Sequence, residues 1–251
     1  IEVNQIRVIA GDTDVTPYDI GAYASRTTFI AGGAVQRAAE DARQQLLNFA
    51  ANELHLDSHD LQINNGNIAS LTDSNRCISI KELVASSGGR AARSIIGRGT
   101  FAPRNDYSFA AQFAEVTVDT ETGQVQVTQM VAVHDVGRAI NPTTAEGQIE
   151  GALQQGIGYA LLEDLLVDNV NGRTRNANFV DYKTMTALDM PQIHVELLES
   201  EDDLGPFGAK GLAEDGICPT APAIANAIYH ATGIRLKQLP ITAESLIEGT
   251  L

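Results

Sequence analysis

One carboxylate pair, Glu214–Asp215, lies in a glycine- and proline-rich segment, GPFGAKGLAEDGICPTAPA, at residues 205–223. Four glycines and three prolines punctuate this segment. Glycine lets the backbone approach a ligand closely and leaves N–H groups available to bind it. A carboxylate held in such a loop is a candidate general base. A surface loop whose acid caps the following helix is the alternative, and the composition leaves both open.

A hydroxyl-rich segment, AYASRTTF at residues 22–29, directly precedes a long alanine-rich stretch with helical spacing. Ser25, Thr27 and Thr28 bring hydroxyl groups close to helix N–H groups, which suits a phosphate or a polar heterocycle. An ordinary Ser/Thr helix cap would have the same pattern.

A glutamine, Gln148, lies in the segment GQIEGALQQG at residues 147–156, within a predicted helix. Its amide both donates and accepts hydrogen bonds, which suits the edge of a heterocycle or an oxo group, although such glutamines are more often simply solvated. The helix contains four internal glycines, Gly147, Gly151, Gly156 and Gly158. Each costs up to about 1 kcal/mol relative to alanine, so they predict close packing against another backbone or a ligand.

Other candidate groups give weaker patterns. His134 and Asp135 are neighbours on a predicted strand, so their side chains point to opposite faces and are interpreted as structural. Cys77 and Cys218 are far apart, and the chain has no CxxC or Cys/His ligand spacing. The sequence therefore predicts neither a zinc site nor a protein-ligated iron–sulfur cluster. No histidine lies at a sequence position that would identify it as the partner of Cys218, so a nucleophilic cysteine is not supported.

The composition argues against two classes of partner. With 17 Lys and Arg against 32 Asp and Glu, the net charge of -15 disfavours a nucleic-acid surface, which needs clustered cations. The sequence has no apolar run near the roughly 20 residues that span a bilayer, and no signal-peptide pattern. We therefore expect a reduced, cytoplasmic protein that binds neither membrane nor nucleic acid.

The elements that must position these groups are predicted to form an α+β fold, with mixed sheets and long Ala/Gly-rich helices. The first half is predicted to contain a strand at 2–10, a helix at 28–54 and a hairpin at 61–71 turning at Asn-Asn-Gly-Asn. Two antiparallel strands flank the turn DTETGQ.

The second half is predicted to contain a helix capped by Asn141 or Thr143, a strand at MPQIHVELLES and a helix ended by Gly233. We expect all 251 residues to form one domain with two lobes and a soft boundary near residue 140. The predicted strand at 2–10 has no partner before it, so we expect another polypeptide to cover its edge.

Together, five segments resemble the molybdopterin-binding subunits of the xanthine dehydrogenase and aldehyde oxidase family, the molybdenum hydroxylases. In chain order they are GDTDVTPYDIGAYASRTTFIAGGAV, VDTETGQVQV, DVGRAINPTTAEGQIEGALQQGIGYALLEDL, DYKTMTALDMP and GPFGAKGLAEDG. Five motifs in the right order are far more specific than any one alone.

The resemblance implies a role for each candidate residue. It implies that Glu214 is the base that activates a molybdenum-bound hydroxyl, and that Gln148 lies beside the cofactor with a part in catalysis. The remaining residues are implied to hold the pterin or line the open side of the metal: Ala24, Ser25, Thr27, Thr28 and Gly211. No protein metal ligand is implied, because the dithiolene sulfurs of the pterin hold the molybdenum.

The resemblance also implies cofactors and partners. These are molybdopterin, in the simple or the cytosine dinucleotide form, with FAD and 2Fe–2S clusters on partner chains. A further chain would carry the first half of the molybdenum subunit and complete the pocket for a small-molecule substrate. The segment YDIGAYASR is most similar to members that act on nicotinate-like rings and on 4-hydroxybenzoyl-CoA.

Three functions stay open within this family: hydroxylation of an aromatic N-heterocycle, reductive dehydroxylation of the hydroxybenzoyl-CoA reductase type, and a non-catalytic structural role. One departure from the family pattern bears on the base. The family commonly has Gly before the glutamate and Pro after it, whereas this chain has Ala213 and Asp215. The extra methyl and the extra carboxylate at the metal would either change the shape of the pocket or raise the pKa of Glu214 through like-charge repulsion.

Overall fold

The computed structural model describes residues 1–86, 95–102, 107–200 and 202–249. The chain divides into two compact units. The first unit comprises Ile1–Ala22 and Ile30–Ala102, and the second comprises Tyr23–Phe29 and Pro103–Leu251. Residue 140, near which a soft boundary was expected, lies inside the second unit, because the strands on either side of it pair in one sheet.

The first unit packs helices against a small antiparallel sheet. Its elements are α1 (Gly32–Leu54), β1 (Leu61–Asn64), β2 (Asn67–Ser70), β3 (Cys77–Ser79) and α2 (Ile80–Ser86), with strand order β1-β2-β3. A single π-helical turn, Thr27–Ala31, leads into α1. The hairpin turns at Asn65 and Gly66, whose φ angles of 46° and 77° are those of a type I′ turn, which confirms the predicted hairpin.

The predicted strand at residues 2–10 is wrong. This stretch contains only a short 3₁₀ turn, Val3–Gln5, and it pairs with no strand among the described residues. Its apolar side chains are exposed, with 84% of Val3 and 80% of Val8 accessible. An apolar pattern alone does not make a strand, because the backbone needs a neighbouring strand for its hydrogen bonds.

The second unit is built on a three-stranded sheet. Its elements are β4 (Ala110–Val118), β5 (Val125–Asp135), α3 (Pro142–Leu161), β6 (Gln192–Leu198), α4 (Glu214–Ile217), α5 (Thr220–Thr232) and α6 (Ala243–Gly249). Strand β5 is central, antiparallel to β4 and parallel to β6. The mixed sheet and the glycine-rich α3 confirm the α+β class.

The core of the second unit lies where α3 and α5 pack beside the sheet. Ile149, Leu153 and Ile157 of α3 are fully or almost fully buried. A Cβ atom placed on Gly156 would lie 2.7 Å from the hydroxyl oxygen of Thr220, so this glycine lets α3 and α5 approach closely, as its position in the helix predicted.

Helix α3 begins as the sequence indicated. Asn141 is its N-cap, and the side-chain oxygen accepts a hydrogen bond from the Thr144 N–H. At the other end of the unit, α5 stops at Gly233, which has a φ of 79°. In the described part of the chain, no helix has the length and apolar character needed to cross a membrane.

Candidate functional site

Two predicted site residues that lie 189 positions apart in the sequence are in direct contact within the second unit. The Ser25 hydroxyl donates a hydrogen bond to the Glu214 carboxylate. The Glu214 N–H in turn donates to the Ser25 oxygen at 3.2 Å. This reciprocal pair joins the hydroxyl-rich segment Tyr23–Phe29 to the first turn of α4, so the two segments form one site.

The backbone around Ser25 has an uncommon conformation. Ala24 and Ser25 both have positive φ angles, 52° and 51°, although neither is glycine. The left-handed region costs an L-residue roughly 1–2 kcal/mol, so two successive residues need support from their surroundings. Such strained residues cluster at ligand sites and active sites.

Gly211 lies against this strained turn. A Cβ atom on Gly211 would stand 3.1 Å from the Ser25 carbonyl oxygen and 3.2 Å from its Cβ, tighter than ordinary contact. Its own carbonyl accepts a hydrogen bond of 2.9 Å from the Ser108 hydroxyl. Gly211 therefore fits the site because it has no side chain, which allows the two loops to touch.

The Glu214 carboxylate is exposed and held in its charged form. The Ser25 hydroxyl lowers the pKa of Glu214 most, and backbone N–H groups of Ala24 and Glu214 itself lower it further. Burial and the charge of Asp215 act in the opposite direction but are outweighed. The expected like-charge effect of Asp215 on the pKa of Glu214 is therefore present, but local hydrogen bonds outweigh it and the net pKa is lowered.

The side chain of Asp215 points inward, toward β5. Its Oδ2 lies 3.6 Å from Nδ1 of His134, which is fully buried, and its Oδ1 accepts a 2.9 Å hydrogen bond from the Ala213 N–H. Burial by itself would raise the pKa of Asp215, but His134 and the Ala213 N–H together lower it. The second carboxylate is therefore part of the support beneath Glu214.

The neighbouring strand residue, Asp135, forms an ion pair with Lys210 at 2.7 Å. Only 8% of the Lys210 side chain and 14% of the Asp135 side chain are accessible. The carboxylate also accepts hydrogen bonds from the Ser200 hydroxyl and the Gly137 N–H. Burial opposes the charge of Asp135, but these donors together lower its pKa.

The remaining predicted site residues lie in the turn that follows Ser25 and on α3. Thr27 and Thr28 begin the turn after Ser25 and are exposed. Gln148 is exposed on α3, one helical turn before Ala152. A Cβ atom on Gly216 of α4 would lie 2.8 Å from the Ala152 Cβ, so α3 and α4 are in contact one turn away from Gln148.

Two of the α3 glycines differ from the prediction of close packing. A Cβ atom on Gly147 or Gly151 would meet no atom within 4 Å among the described residues. These two positions flank Gln148 and leave the helix surface beside it free of side chains. Gly156 and Gly158 are closely packed, but against side chains and not against another backbone: a Cβ atom would contact Thr220 at Gly156 and Glu163 at Gly158.

The sequence did not indicate which residues support the site. His134 and Asp135 were interpreted as structural, and the structure shows that they contact Asp215 and Lys210 of the loop that carries Glu214; Lys210 was not singled out. Two features of the sequence could have indicated these contacts. They are Lys210 inside the glycine-rich motif, and the consecutive residues His134 and Asp135 at the end of a predicted strand. In the described residues, no group of three His, Cys, Asp or Glu side chains could hold a metal ion.

Comparison with known proteins gives the family. The molybdopterin cofactor-binding domain family matches residues 1–191. A putative xanthine dehydrogenase molybdenum-binding subunit of Escherichia coli (strain K12) is 36% identical over 257 residues, covering 99% of this chain and 34% of the relative. The nicotine 6-hydroxylase large subunit of Paenarthrobacter nicotinovorans is 31% identical over 261 residues, covering 100% and 32%.

Among solved structures, quinoline 2-oxidoreductase from Pseudomonas putida 86 superposes with a TM-score of 0.82 at 28% identity, over 94% of this chain and 31% of that one. The chain thus spans about a third of the length of the relatives it matches. The family match ends at residue 191, before Glu214, whereas the two relatives match along nearly the whole chain.

Proposed function

Because this chain belongs to the molybdopterin cofactor-binding domain family, we propose that it holds a molybdenum–pterin cofactor and that Glu214 is the base of a hydroxylation. The observation that carries the proposal is the contact of Glu214 with Ser25, which joins the candidate base to the candidate cofactor loop. The proposal covers the role of this chain within a larger molecule, since the relatives are about three times as long.

The residues present fit a flat polar cofactor. Ala24 and Ser25 hold a strained turn against Gly211, where no Cβ would fit comfortably. Ser25, Thr27 and Thr28 supply hydroxyl groups on one exposed turn, and Gln148 supplies an amide next to a helix surface without side chains. These groups would hold the pterin and its phosphate through hydrogen bonds, in the simple or the cytosine dinucleotide form.

Each part of the chemistry has a distinct source. When bound, the molybdenum–pterin group supplies the two-electron oxidation. Glu214 is ionised at neutral pH, the state a general base needs. Its carboxylate would accept the proton of the attacking oxygen, while Gln148 orients groups at the cofactor.

We assign the substrate to the class of aromatic N-heterocycles with an electron-poor ring carbon. Two relatives support this class, since nicotine 6-hydroxylase and quinoline 2-oxidoreductase are named for such rings. We further propose that the chain works in a cytoplasmic complex, in which partner chains complete the pocket and carry 2Fe–2S clusters and FAD. The designation of both curated relatives as subunits supports an assembly.

The test is Glu214→Gln in the intact complex. It should lower turnover by several orders of magnitude while molybdenum content stays near one per complex, because the amide keeps the volume but accepts no proton. Glu248→Gln, which changes an exposed glutamate of α6, serves as the matched control. Steady-state rates with nicotinate, quinoline, hypoxanthine and an aldehyde should favour the heterocycles.

Two outcomes would contradict the proposal. A Glu214→Gln complex that keeps more than about a tenth of the wild-type rate per molybdenum excludes this residue as the base. A purified complex that contains zinc but no molybdenum, and shows no pterin fluorescence after oxidation, excludes the cofactor.

A further inference from the structure

The last two residues of β5 contact the two ends of the loop that carries Glu214. Adjacent strand residues point to opposite faces of a sheet, so His134 and Asp135 do not share a partner. Asp135 contacts Lys210, where the loop begins, and His134 contacts Asp215, where it ends. We name these two contacts the loop anchor.

The Lys210 end of the loop anchor is an almost completely buried ion pair, whose carboxylate accepts three hydrogen bonds. Lys210 Nζ lies 2.7 Å from Asp135 Oδ2, and Asp135 Oδ1 accepts from the Ser200 hydroxyl at 2.7 Å and the Gly137 N–H at 3.0 Å. The Lys210 N–H also donates to the Val136 carbonyl at 3.0 Å. Both the side chain and the backbone of Lys210 are therefore fixed to the end of β5.

At the Asp215 end, the surrounding hydrogen bonds determine which nitrogen of His134 carries the proton. The side-chain nitrogen of Gln112 lies 2.7 Å from the Gly216 carbonyl, which only accepts, while its oxygen accepts from the Thr220 hydroxyl at 2.7 Å. The same Gln112 nitrogen lies 3.2 Å from His134 Nε2, so Nε2 must be the acceptor. The proton of the neutral ring is then on Nδ1, which faces Asp215.

Asp215 connects this histidine to the backbone next to Glu214. Its Oδ1 binds the Ala213 N–H, and its Oδ2 faces His134 Nδ1 at 3.6 Å. That separation is longer than a normal hydrogen bond, and both atoms are buried without a hydrogen-bond partner among the described residues, so each is the nearest oppositely polarised group of the other. The Nδ1–H of His134 and the Asp215 carboxylate therefore stabilise each other, because burying either group without the other would destabilise the fold.

We propose that His134 and Asp135 are positioning residues, which fix the Lys210–Asp215 loop at both ends and thereby set the position of the Glu214 carboxylate. The inference rests on the proposed role of Glu214 as the base. Neither residue is catalytic, since each acts through the loop. A misplacement of a reacting group by about 1 Å can lower turnover on the order of 100-fold, so a loop fixed at only one end should turn over slowly.

The test compares variants of the intact complex. Asp215→Ala and His134→Ala remove the contact at one end, and Asp135→Asn weakens it at the other. Each should lower kcat per bound molybdenum by about tenfold or more, with KM changed less than about threefold, because orientation of the base and not substrate binding is altered. His134→Asn keeps a donor near the Nδ1 position and should recover part of the loss.

A second readout does not depend on turnover. Hydrogen exchange followed by mass spectrometry should show faster exchange at residues 209–218 in Asp215→Ala, while α3 and α5 keep their protection. Asp168→Asn is the matched control, since Asp168 also binds a cation, Arg175, and backbone N–H groups, in an exposed turn. It should change neither kcat nor exchange in the loop.

The outcomes separate the two proposals. If Glu214→Gln is inactive but Asp215→Ala and Asp135→Asn both keep kcat within about twofold, the loop anchor is refuted and the base assignment stands. If loop exchange in Asp215→Ala equals that of the wild type, the loop anchor is refuted as well. If Glu214→Gln stays active, the base assignment fails, whereas faster loop exchange still reports that His134 and Asp215 hold the loop.

Discussion

Loss of the Lys210 charge should destabilise the second unit measurably. Lys210→Met keeps most of the side-chain volume but leaves the Asp135 carboxylate, only 14% accessible, without its cation. Removing one partner of a buried pair costs about 3–5 kcal/mol. We expect the lower end of that range, about 3 kcal/mol, because Ser200 and Gly137 still donate to Asp135. For a chain of this size that corresponds to a decrease in Tm of about 6–12 °C.

The effect should depend on pH with a defined sign. Burial opposes the charge of Asp135, but the hydrogen bond from Lys210, with those from Ser200 and Gly137, lowers its pKa in the folded state. A group with a lowered folded pKa stabilises the fold above its unfolded pKa, and this contribution is lost as pH falls through the folded pKa. The difference in Tm between wild type and Lys210→Met should therefore be largest near pH 7 and shrink below about pH 4.

Thermal melting of the purified complex at several pH values measures the difference in Tm between the wild type and Lys210→Met. The double variant Lys210→Met/Asp135→Leu is the decisive comparison. Replacing both charges with apolar groups should restore more than half of the lost Tm, because no buried charge remains unpaired. If Lys210→Met lowers the Tm by less than about 2 °C at pH 7, the proposed cost of the unpaired charge is refuted, since the pair would then be exposed to solvent. An equal decrease at pH 7 and at about pH 3 would refute the electrostatic explanation.

Two further predictions follow from single contacts. Ser25→Ala removes the hydroxyl that lowers the pKa of Glu214 most, so the acidic limb of kcat/KM, normalised to molybdenum, should move to higher pH; a limb that stays in place would contradict the role of this contact. Asn141→Ala removes the side-chain oxygen that binds the Thr144 N–H and should cost about 1 kcal/mol of stability in a denaturant titration, whereas Asn141→Asp, which retains the cap, should cost less.

Local sequence signals predicted the individual elements well. The turn at Asn65 and Gly66 follows from residues that tolerate positive φ, and the start of α3 follows from Asn141 at its N-cap. The family was also readable from five ordered motifs, and the comparison confirms it. Each of these features depends on residues close together in sequence, which is why a single chain read from end to end can reveal them.

The predicted strand at residues 2–10 shows where such reading fails. Its apolar residues resemble a strand, but a strand exists only if a second one supplies the other half of its hydrogen bonds, and no described strand does. The boundary expected near residue 140 has a similar explanation. A change of composition is visible there, yet β5 and β6 pair across it in one sheet.

The sequence by itself identified Ser25 and Glu214 as separate candidates, and only the tertiary structure brought them into contact across 189 residues. It also decided that Asp215 turns away from Glu214 toward His134, and that Lys210 pairs with Asp135. Residue type fixes which groups an atom can bind, whereas packing over long sequence distances fixes which of those groups it meets. The motifs therefore show which chemical groups this protein has available. The packing of β5, α3 and the loop before α4 determines where those groups lie relative to one another.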